Sequence, residues 1–520
     1  MYFTQPLHRN LQCSPEQVMT ICGERRRTVR QFAARVARLA GALRRLGCAD
    51  GDRVAMLGLN SDHYMEYQFG VPWAGCVLNP CNTRWSAAEN AYALSDSGTT
   101  ILLVDDAFKD MAQAMRGEVS SLRHVIHVGD GETPDGMLDY EALLDAAEPV
   151  EDTRRAGEDL LGIFYTGGTT GFPKGVMLSH GAFWCSQMAI AAEDGMVEAG
   201  RTMLRAAPMF HLADMAMGYA AVLKNNTHVI VPSFHPVAVM ETIERHRVTG
   251  TLLVPTMIQM IVNHPEVRRH DLSSLRTLLY GASPIQEQVL KDLLALLPEL
   301  RLYQAYGQTE MAPAVSVLRP EQHTPEAAAR GMLRSCGRPM LSVEVRILGG
   351  DGNEVEQGAI GEIAVRGPNV MSGYWNNPEQ TRAALPPDGW LRTGDSARMD
   401  ENGYLFIMDR VKDMIVTGGE NVFSAEVENA LSTHPEVAMC AVIGIPHAQW
   451  GEAVHAVVVP KQGCAPAADS LIEHCRARIA GYKCPKSVEL REALPLSGAG
   501  KVLKTVLREA HWQGQTRRVG

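Results

Sequence analysis

The segment YTGGTTGFPKGV, Tyr165 to Val176, interleaves glycines, threonines and a lysine. Gly167, Gly168 and Gly171 permit positive φ and close backbone approach, so successive N–H groups can face phosphate oxygens. Thr166, Thr169 and Thr170 add hydroxyl donors, and Lys174 adds a compact positive charge. This is the chemistry of a polyphosphate cradle. A Walker loop requires G-x-x-x-x-G-K-[ST]. Here Pro173 precedes Lys174 and Gly175 follows it, which excludes a P-loop NTPase by its own motif. Other reactive side chains stand alone in short motifs: His211 in MFHL, Glu310 in YGQTE, Asp395 in RTGD, Lys412 in RVKD and Lys501 in SGAGKVLK. Taken singly, each has an ordinary reading as a packed histidine, a turn aspartate or a solvated charge.

The elements around these residues follow from periodicity. LLGIFY feeds the loop as a buried strand, and Ser179 is placed to cap a helix beyond it. TVRQFAARVARLAGALRRLG has apolar residues at three- and four-residue spacing and reads as an amphipathic helix. RVAMLGL, TILLVDD, HVIHVG and THVIVPS are short apolar runs closed by turn residues, as buried strands are. Their alternation with helices predicts a parallel α/β sheet core. SVEVRILGGDGNEV alternates strictly before a Gly-rich turn and GEIAVRGP follows, which predicts a small antiparallel β unit near residues 340–410. An α+β pattern restarts near Val411, after the turn MDENGY and the charged run DRVKD, and marks a small C-terminal domain.

Composition bounds the function. A chain of 520 residues exceeds one ordinary domain, and 46% apolar with 21% charged residues is a globular balance. The net charge is −10 with no basic run, which argues against nucleic acid as a partner. Eleven scattered cysteines without a C-x-x-C pair suggest reduced, packed thiols. The N-terminus lacks a signal-peptide pattern and no apolar run approaches a membrane span, so a cytoplasmic location is expected.

YTGGTTGFPKG resembles the phosphate-loop signature of the adenylate-forming superfamily of acyl-CoA synthetases, luciferases and peptide-synthetase adenylation domains. APMFHL (207–212), YGASP (280–284), YQAYGQTEM (303–311), GWLRTGDSA (389–397), DRVKDMIVTGGENVFSAEVE (409–428) and PLSGAGKVLK (495–504) resemble its further motifs, in order, over most of the chain. The resemblance implies a large N-terminal domain of layered α/β sheets with a small β-barrel-like unit over 1–409. It also implies a hinge at 410–413 and a mobile α+β domain over 414–520.

It further implies a two-step reaction: a carboxylate is joined to the α-phosphate of ATP, then the acyl group passes to coenzyme A. By resemblance, Glu310 holds Mg2+ and Thr309 reaches a phosphate. Tyr306, beside Gly307, stacks on adenine, while Gly281, Ala282 and Ser283 border adenine and the acyl pocket. Asp395 accepts the ribose hydroxyls with Arg410 as a second ribose contact. Lys501 is the adenylation lysine, expected on an exposed, mobile loop, with Lys504 as a near neighbour. Lys412 is the hinge about which the small domain rotates, and Gly418 and Gly419 line the path of the coenzyme A arm. His211 borders the reacting carboxylate.

Two departures bear on substrate. Gly167 stands where relatives often have serine, and FHLADM lacks a glycine common after the histidine. Amino-acid-activating relatives carry an aspartate at the position of His211, so an apolar acid, medium- or long-chain fatty or aryl, is expected. Met209, Phe210, Met215, Met217 and Met311 are candidates for an adaptable acyl cavity. A stand-alone adenylating enzyme that loads a carrier protein is the alternative. Transient membrane contact is expected only for a long-chain substrate, and a homodimer is among the open oligomeric states.

Overall fold

The computed structural model describes residues 1–167, 173–283, 285–410, 413–418, 420–447, 449–498 and 500–512. Two large sheets build the N-terminal part. One has nine strands, from Arg338–Pro339 at one edge to Arg25–Thr28 at the other. The second has eight, from Gly373–Tyr374 to Leu138–Asp139. The four runs read as buried strands are Arg53–Leu57, Ile101–Val104, His124–His127 and Thr227–Ile230. The amphipathic run is the helix Val29–Arg45, opened by a reciprocal capping box between Thr28 and Gln31.

The helix Asp62–Trp73 explains how the sheets join. All of its residues are buried, so it carries no polar stripe. Tyr67 donates to the Val54 carbonyl of the eight-stranded sheet at 3.0 Å, and Gln68 donates to the Met209 carbonyl at 3.2 Å, just beyond a strand of the nine-stranded sheet. Side chains of both sheets share one apolar cluster with this helix. Its fully buried Asp62 and Glu66 are matched by Arg25 at 3.0 Å and Arg27 at 3.0 Å, with Tyr140 donating to Glu66 at 2.7 Å. Removing one partner of such a buried pair costs about 3–5 kcal/mol.

The central strands of both sheets are parallel, but three of the four edges are antiparallel; Leu138–Asp139 alone joins its edge in parallel. Leu160–Thr166 and Lys174–Ser179 pair antiparallel, with Thr166 opposite Lys174. These two strands are thus the arms of a hairpin that flank the glycine-rich segment. A parallel connection needs about a dozen residues or more of crossover, and the loop is too short to supply it. Ser179 then caps the helix His180–Ala192 by accepting from Ala182 N–H at 3.1 Å. Strands Glu344–Leu348, Gly361–Arg366, Leu391–Met399 and Leu405–Arg410 form the antiparallel unit predicted near 340–410.

The C-terminal part is a smaller α+β domain. Gly451–Pro460 lies at its centre, flanked by Val437–His447 and, in parallel, by Ser487–Leu490. Helices Ser424–Ser432 and Ala468–Arg476 cover one face and the helix Lys504–Glu509 covers the other. All eleven cysteines are free thiols, as their scatter suggested.

Candidate active site

A cleft of about 1700 Å3 lies between the two parts, and both line it. Its floor is set by the ends of two parallel strands, Thr277–Gly281 and Arg301–Gly307, in which Gly281 faces Ala305. A Cβ on Gly281 would sit 2.2 Å from the Ala305 carbonyl oxygen, and one on Gly307 would sit 1.8 Å from that of Pro313. Only glycine fits at either place. The chain then turns through Ala282 at φ +69°, a left-handed conformation that is costly for a side-chain-bearing residue. Ala282, Ser283 and Gly307 line the cleft; Gly281 stands behind it as part of the sheet.

Asp395 is fixed from this floor. Its Oδ2 accepts from the Tyr306 hydroxyl at 2.8 Å and from Gln308 Nε2 at 2.7 Å. Gln308 also donates to the Thr393 carbonyl at 2.8 Å, which ties the strand end to the antiparallel unit. Burial, with the Asp395 charge second, holds the Tyr306 phenol well above its ordinary range, so it stays a donor. Gln308 was not singled out from the sequence, although it sits between Tyr306 and Glu310. Arg410 pairs with Asp395 along the backbone; its side chain lies outside the described residues.

Glu310 sits on the short turn Thr309–Met311 and its Oε1 accepts from the Tyr374 hydroxyl at 2.9 Å. The ring of Tyr374 lies under Lys174, whose Nζ is 5.2 Å from the ring centre. Tyr374 is brought there by pairing with Val176, so one edge strand joins the loop lysine to the acidic turn. Burial and then the Glu310 charge raise the Tyr374 phenol above its normal range. Sequence reading missed Tyr374, whose only signal was the aromatic pair in SGYW. Thr166, Gly167, Lys174, Thr309 and Glu310 all line the cleft. Gly168, Thr169 and Thr170 lie outside the described residues.

Lys501 enters from the small domain. Its N–H donates to Ser497 Oγ at 3.1 Å, and Ser497 N–H donates back to the Lys501 carbonyl at 2.6 Å. Arg84 donates to the Ser497 carbonyl at 3.1 Å, and Thr256 reaches the Gly500 carbonyl at 3.5 Å, so the loop is docked on the large domain. The expected exposed loop is therefore corrected: Lys501 is half-buried in the cleft wall. Lys504 is a separate case. It is tied to Glu428 at 2.7 Å, and although burial opposes its charge, Glu428 and Asp409 raise its ammonium above the ordinary range.

His211 caps the helix Leu212–Leu223 with Nδ1 accepting from Ala213 N–H at 3.2 Å. Desolvation and the Lys501 charge push its imidazole down to about 4. It is a neutral polar wall of the cleft. Of the five residues offered for an acyl cavity, only Phe210 borders the cleft among the described residues; Met209, Met215, Met217 and Met311 are core. Gly418 turns at φ +62° with its N–H on the Trp450 carbonyl at 2.9 Å, and it does not line the cleft. Lys412 and Gly419 lie outside the described residues.

A large α/β domain and a small α+β domain that jointly enclose cationic, acidic and ribose-compatible groups define a two-domain nucleotide-using ligase. The chain belongs to the AMP-binding enzyme family, whose model matches residues 7–375, with the AMP-binding enzyme C-terminal domain matching 426–501. It is 40% identical to a feruloyl-CoA synthase from Amycolatopsis sp over 96% of this chain and 97% of that protein. It is 34% identical to the fatty acid–acyl-carrier-protein ligase ScoC from Streptomyces coeruleorubidus, covering 98% and 96%. The solved anthranilate CoA ligase AuaEII in complex with anthranoyl-AMP superposes with a TM-score of 0.90 at 26% identity, over 98% of this chain and 97% of that one. The protein is an adenylate-forming enzyme that activates a carboxylic acid, in the acid–thiol ligase class. Among the described residues, no helix is long and apolar enough to cross a membrane.

Proposed function

We propose that the enzyme adenylates an apolar carboxylic acid, fatty or aryl, and transfers the acyl group to coenzyme A with release of AMP and pyrophosphate. The observation that carries this reading is the convergence of Lys501 from the small domain with His211, Glu310, Lys174 and Asp395 in one cleft. In the first step a carboxylate oxygen attacks the α-phosphorus and pyrophosphate leaves, so negative charge grows on phosphate oxygens. Lys501 supplies positive charge at the carboxylate and α-phosphate, Lys174 supplies it at the leaving group, and the Thr166 hydroxyl donates a hydrogen bond there. Asp395, oriented by Tyr306 and Gln308, accepts the ribose hydroxyls. Glu310 has the hard oxygen donor that Mg2+ prefers, and Mg2+ when bound neutralises charge on the phosphates. Tyr374 holds that carboxylate in place.

His211 is an imidazole and offers no anionic partner to a substrate ammonium, which favours an acid without an α-amino group. In the second step a thiolate attacks the acyl carbonyl and AMP leaves. The small domain swings about the 410–413 hinge so that Lys501 withdraws and Gly418 and Gly419 approach. Pyrophosphate and AMP release, measured across a panel of fatty and aryl acids with and without coenzyme A, tests the reading. Turnover that depends on coenzyme A supports it. Pyrophosphate release with retained acyl-AMP and no response to coenzyme A would favour carrier-protein loading, the activity named for the Streptomyces coeruleorubidus relative.

A further inference from the structure

A second cluster of ligand-bearing side chains lies away from the cleft, on the far face of the small domain's sheet. His455 and Ser487 are opposite one another on parallel strands, and Glu489, two residues beyond Ser487, points to the same face. His511 arrives from just past the helix Lys504–Glu509, with its ring centre 4.9 Å from that of His455. One ligand atom from each of His455, Glu489 and His511 lies within 4.8 Å of the other two.

The imidazole of His455 is the group that needs explaining. The residue is 5% exposed, and its Nε2 is buried without a hydrogen-bond partner among the described residues. Glu489 Oε2 is 3.7 Å from that nitrogen, too far for a hydrogen bond. Buried polar nitrogens are almost always satisfied, by protein, water or ion. The opposite ring nitrogen, Nδ1, is 2.7 Å from Ser487 Oγ. If Nδ1 donates there, the Nε2 lone pair faces His511 and Glu489. This is the outer-shell arrangement that metal-binding histidines use to fix their tautomer. Arg491 Nε holds the other oxygen of Glu489, Oε1, at 2.6 Å, which leaves Oε2 directed at the histidines.

We propose that His455, Glu489 and His511 form a binding site for a borderline divalent cation of the Zn2+ class, separate from the nucleotide cleft. Two imidazoles and one carboxylate suit Zn2+ and not Mg2+, which prefers oxygen alone. Zn2+ bonds of about 2.0–2.2 Å put tetrahedral donors roughly 3.3–3.5 Å apart, so the ligand atoms close by up to about 1.5 Å on binding. Three protein ligands leave a fourth position for water.

The placement has a consequence for the cleft. Glu489 precedes and His511 follows the segment that contains Lys501. A cation joining them to His455 would anchor both ends of that segment to the strand Gly451–Pro460. The helix Lys504–Glu509 already rests there through Leu507, and Trp512 Nε1 donates to the Gly444 carbonyl at 3.0 Å. Cation binding therefore stiffens the base of the lysine loop without touching substrate.

The test uses the full chain, stripped by chelator and free of nucleotide, titrated with Zn2+ against a chromophoric chelator and separately with Co2+. The expected result is one equivalent bound, with the visible absorption of tetrahedral Co2+. His511→Ala and Glu489→Gln, both at accessible positions, should each lower affinity by at least the roughly 10- to 100-fold that loss of an outer-shell partner costs, and Ser487→Ala by about that amount. Near-UV circular dichroism verifies folding, and His455→Ala is read only if it passes. Absence of stoichiometric binding overturns the proposal, as does binding that both His511→Ala and Glu489→Gln leave unchanged. Neither outcome bears on adenylation, which is assayed separately.

Discussion

Tyr374 donates its hydroxyl to Oε1 of Glu310 at 2.9 Å while its ring lies under Lys174, so one phenol connects the acidic and basic sides of the cleft. A hydrogen bond to a charged group is worth about 1.5–3 kcal/mol. Tyr374→Phe keeps the ring beneath Lys174 and removes only the hydroxyl. The expected outcome is a drop in adenylation rate of roughly tenfold or more, with a raised Mg2+ requirement and little change in stability. Pyrophosphate release measured against Mg2+ concentration reads both. An unchanged Mg2+ dependence would remove Glu310 from the metal role.

Asp395 takes two donors on one oxygen, from Tyr306 and Gln308, which makes its orientation a shared property. Asp395→Asn should weaken ATP binding by roughly 10- to 100-fold, as loss of a charged acceptor of two hydroxyls implies. Tyr306→Phe and Gln308→Ala should each weaken it less. Their double variant should deviate from additivity by about 0.5–3 kcal/mol, because they act through the same oxygen. Direct nucleotide binding by calorimetry checks this. Strict additivity would mean that the two donors act independently of Asp395.

The sequence was legible where a local rule decides. Capping by Ser179, the amphipathic run before Gly47, the apolar strand runs and the strict alternation from Val343 all led to the observed elements. The motif residues His211, Tyr306, Glu310, Asp395 and Lys501 converge on one cleft. What local rules could not give was pairing. The strands on either side of the glycine-rich segment, Leu160–Thr166 and Lys174–Ser179, proved to pair antiparallel, which periodicity alone does not specify. Tyr374 reached Glu310 only through that pairing, across a separation in sequence that no spacing rule spans. The docking of the Lys501 loop was illegible for the same reason: SGAGK reads as solvated until Arg84 and Thr256 are placed beside it.

Two buried histidines make stability depend on pH. His180 accepts the Phe3 N–H on Nδ1 at 3.2 Å, and His323 lies between the Tyr280 hydroxyl and the Arg319 carbonyl, at 2.9 Å from each. Burial pushes both down to about 4. Their folded values lie below the unfolded value of about 6.5, so the unfolded chain binds more protons between these limits. The stability they contribute is fully present above about pH 6.5 and is lost as pH falls toward 4. Each site adds a slope approaching about 1.4 kcal/mol per pH unit near pH 5. Urea unfolding at pH 7, 6 and 5 should show a smaller slope in His323→Gln than in the parent, by about that amount. Equal slopes would mean that His323 is already protonated in the folded state.

The lysine loop docks because two of its positions lack side chains. A Cβ on Gly498 would lie 2.6 Å from Asn82 Oδ1 and 3.1 Å from the Phe210 ring, and Gly500 adopts φ +76° against Val254 and Thr256. Asn82 Oδ1 is held by the Arg84 N–H at 3.0 Å, so its withdrawal costs that hydrogen bond. Gly498→Ala should therefore oppose docking without altering Lys501 itself. If docking serves only the first half-reaction, adenylation slows by roughly tenfold or more, since a displacement of about 1 Å can cost up to 100-fold in positioning. Thioester formation from supplied acyl-AMP and coenzyme A should then keep its rate, because the loop must leave before the thiol arrives. Lys501→Ala should show the same split between the two assays as Gly498→Ala, with a larger adenylation loss, about 100- to 1000-fold for a missing electrostatic donor. Equal slowing of both half-reactions by Gly498→Ala would argue against alternation, since it would mean that the loop is needed in the same place for each.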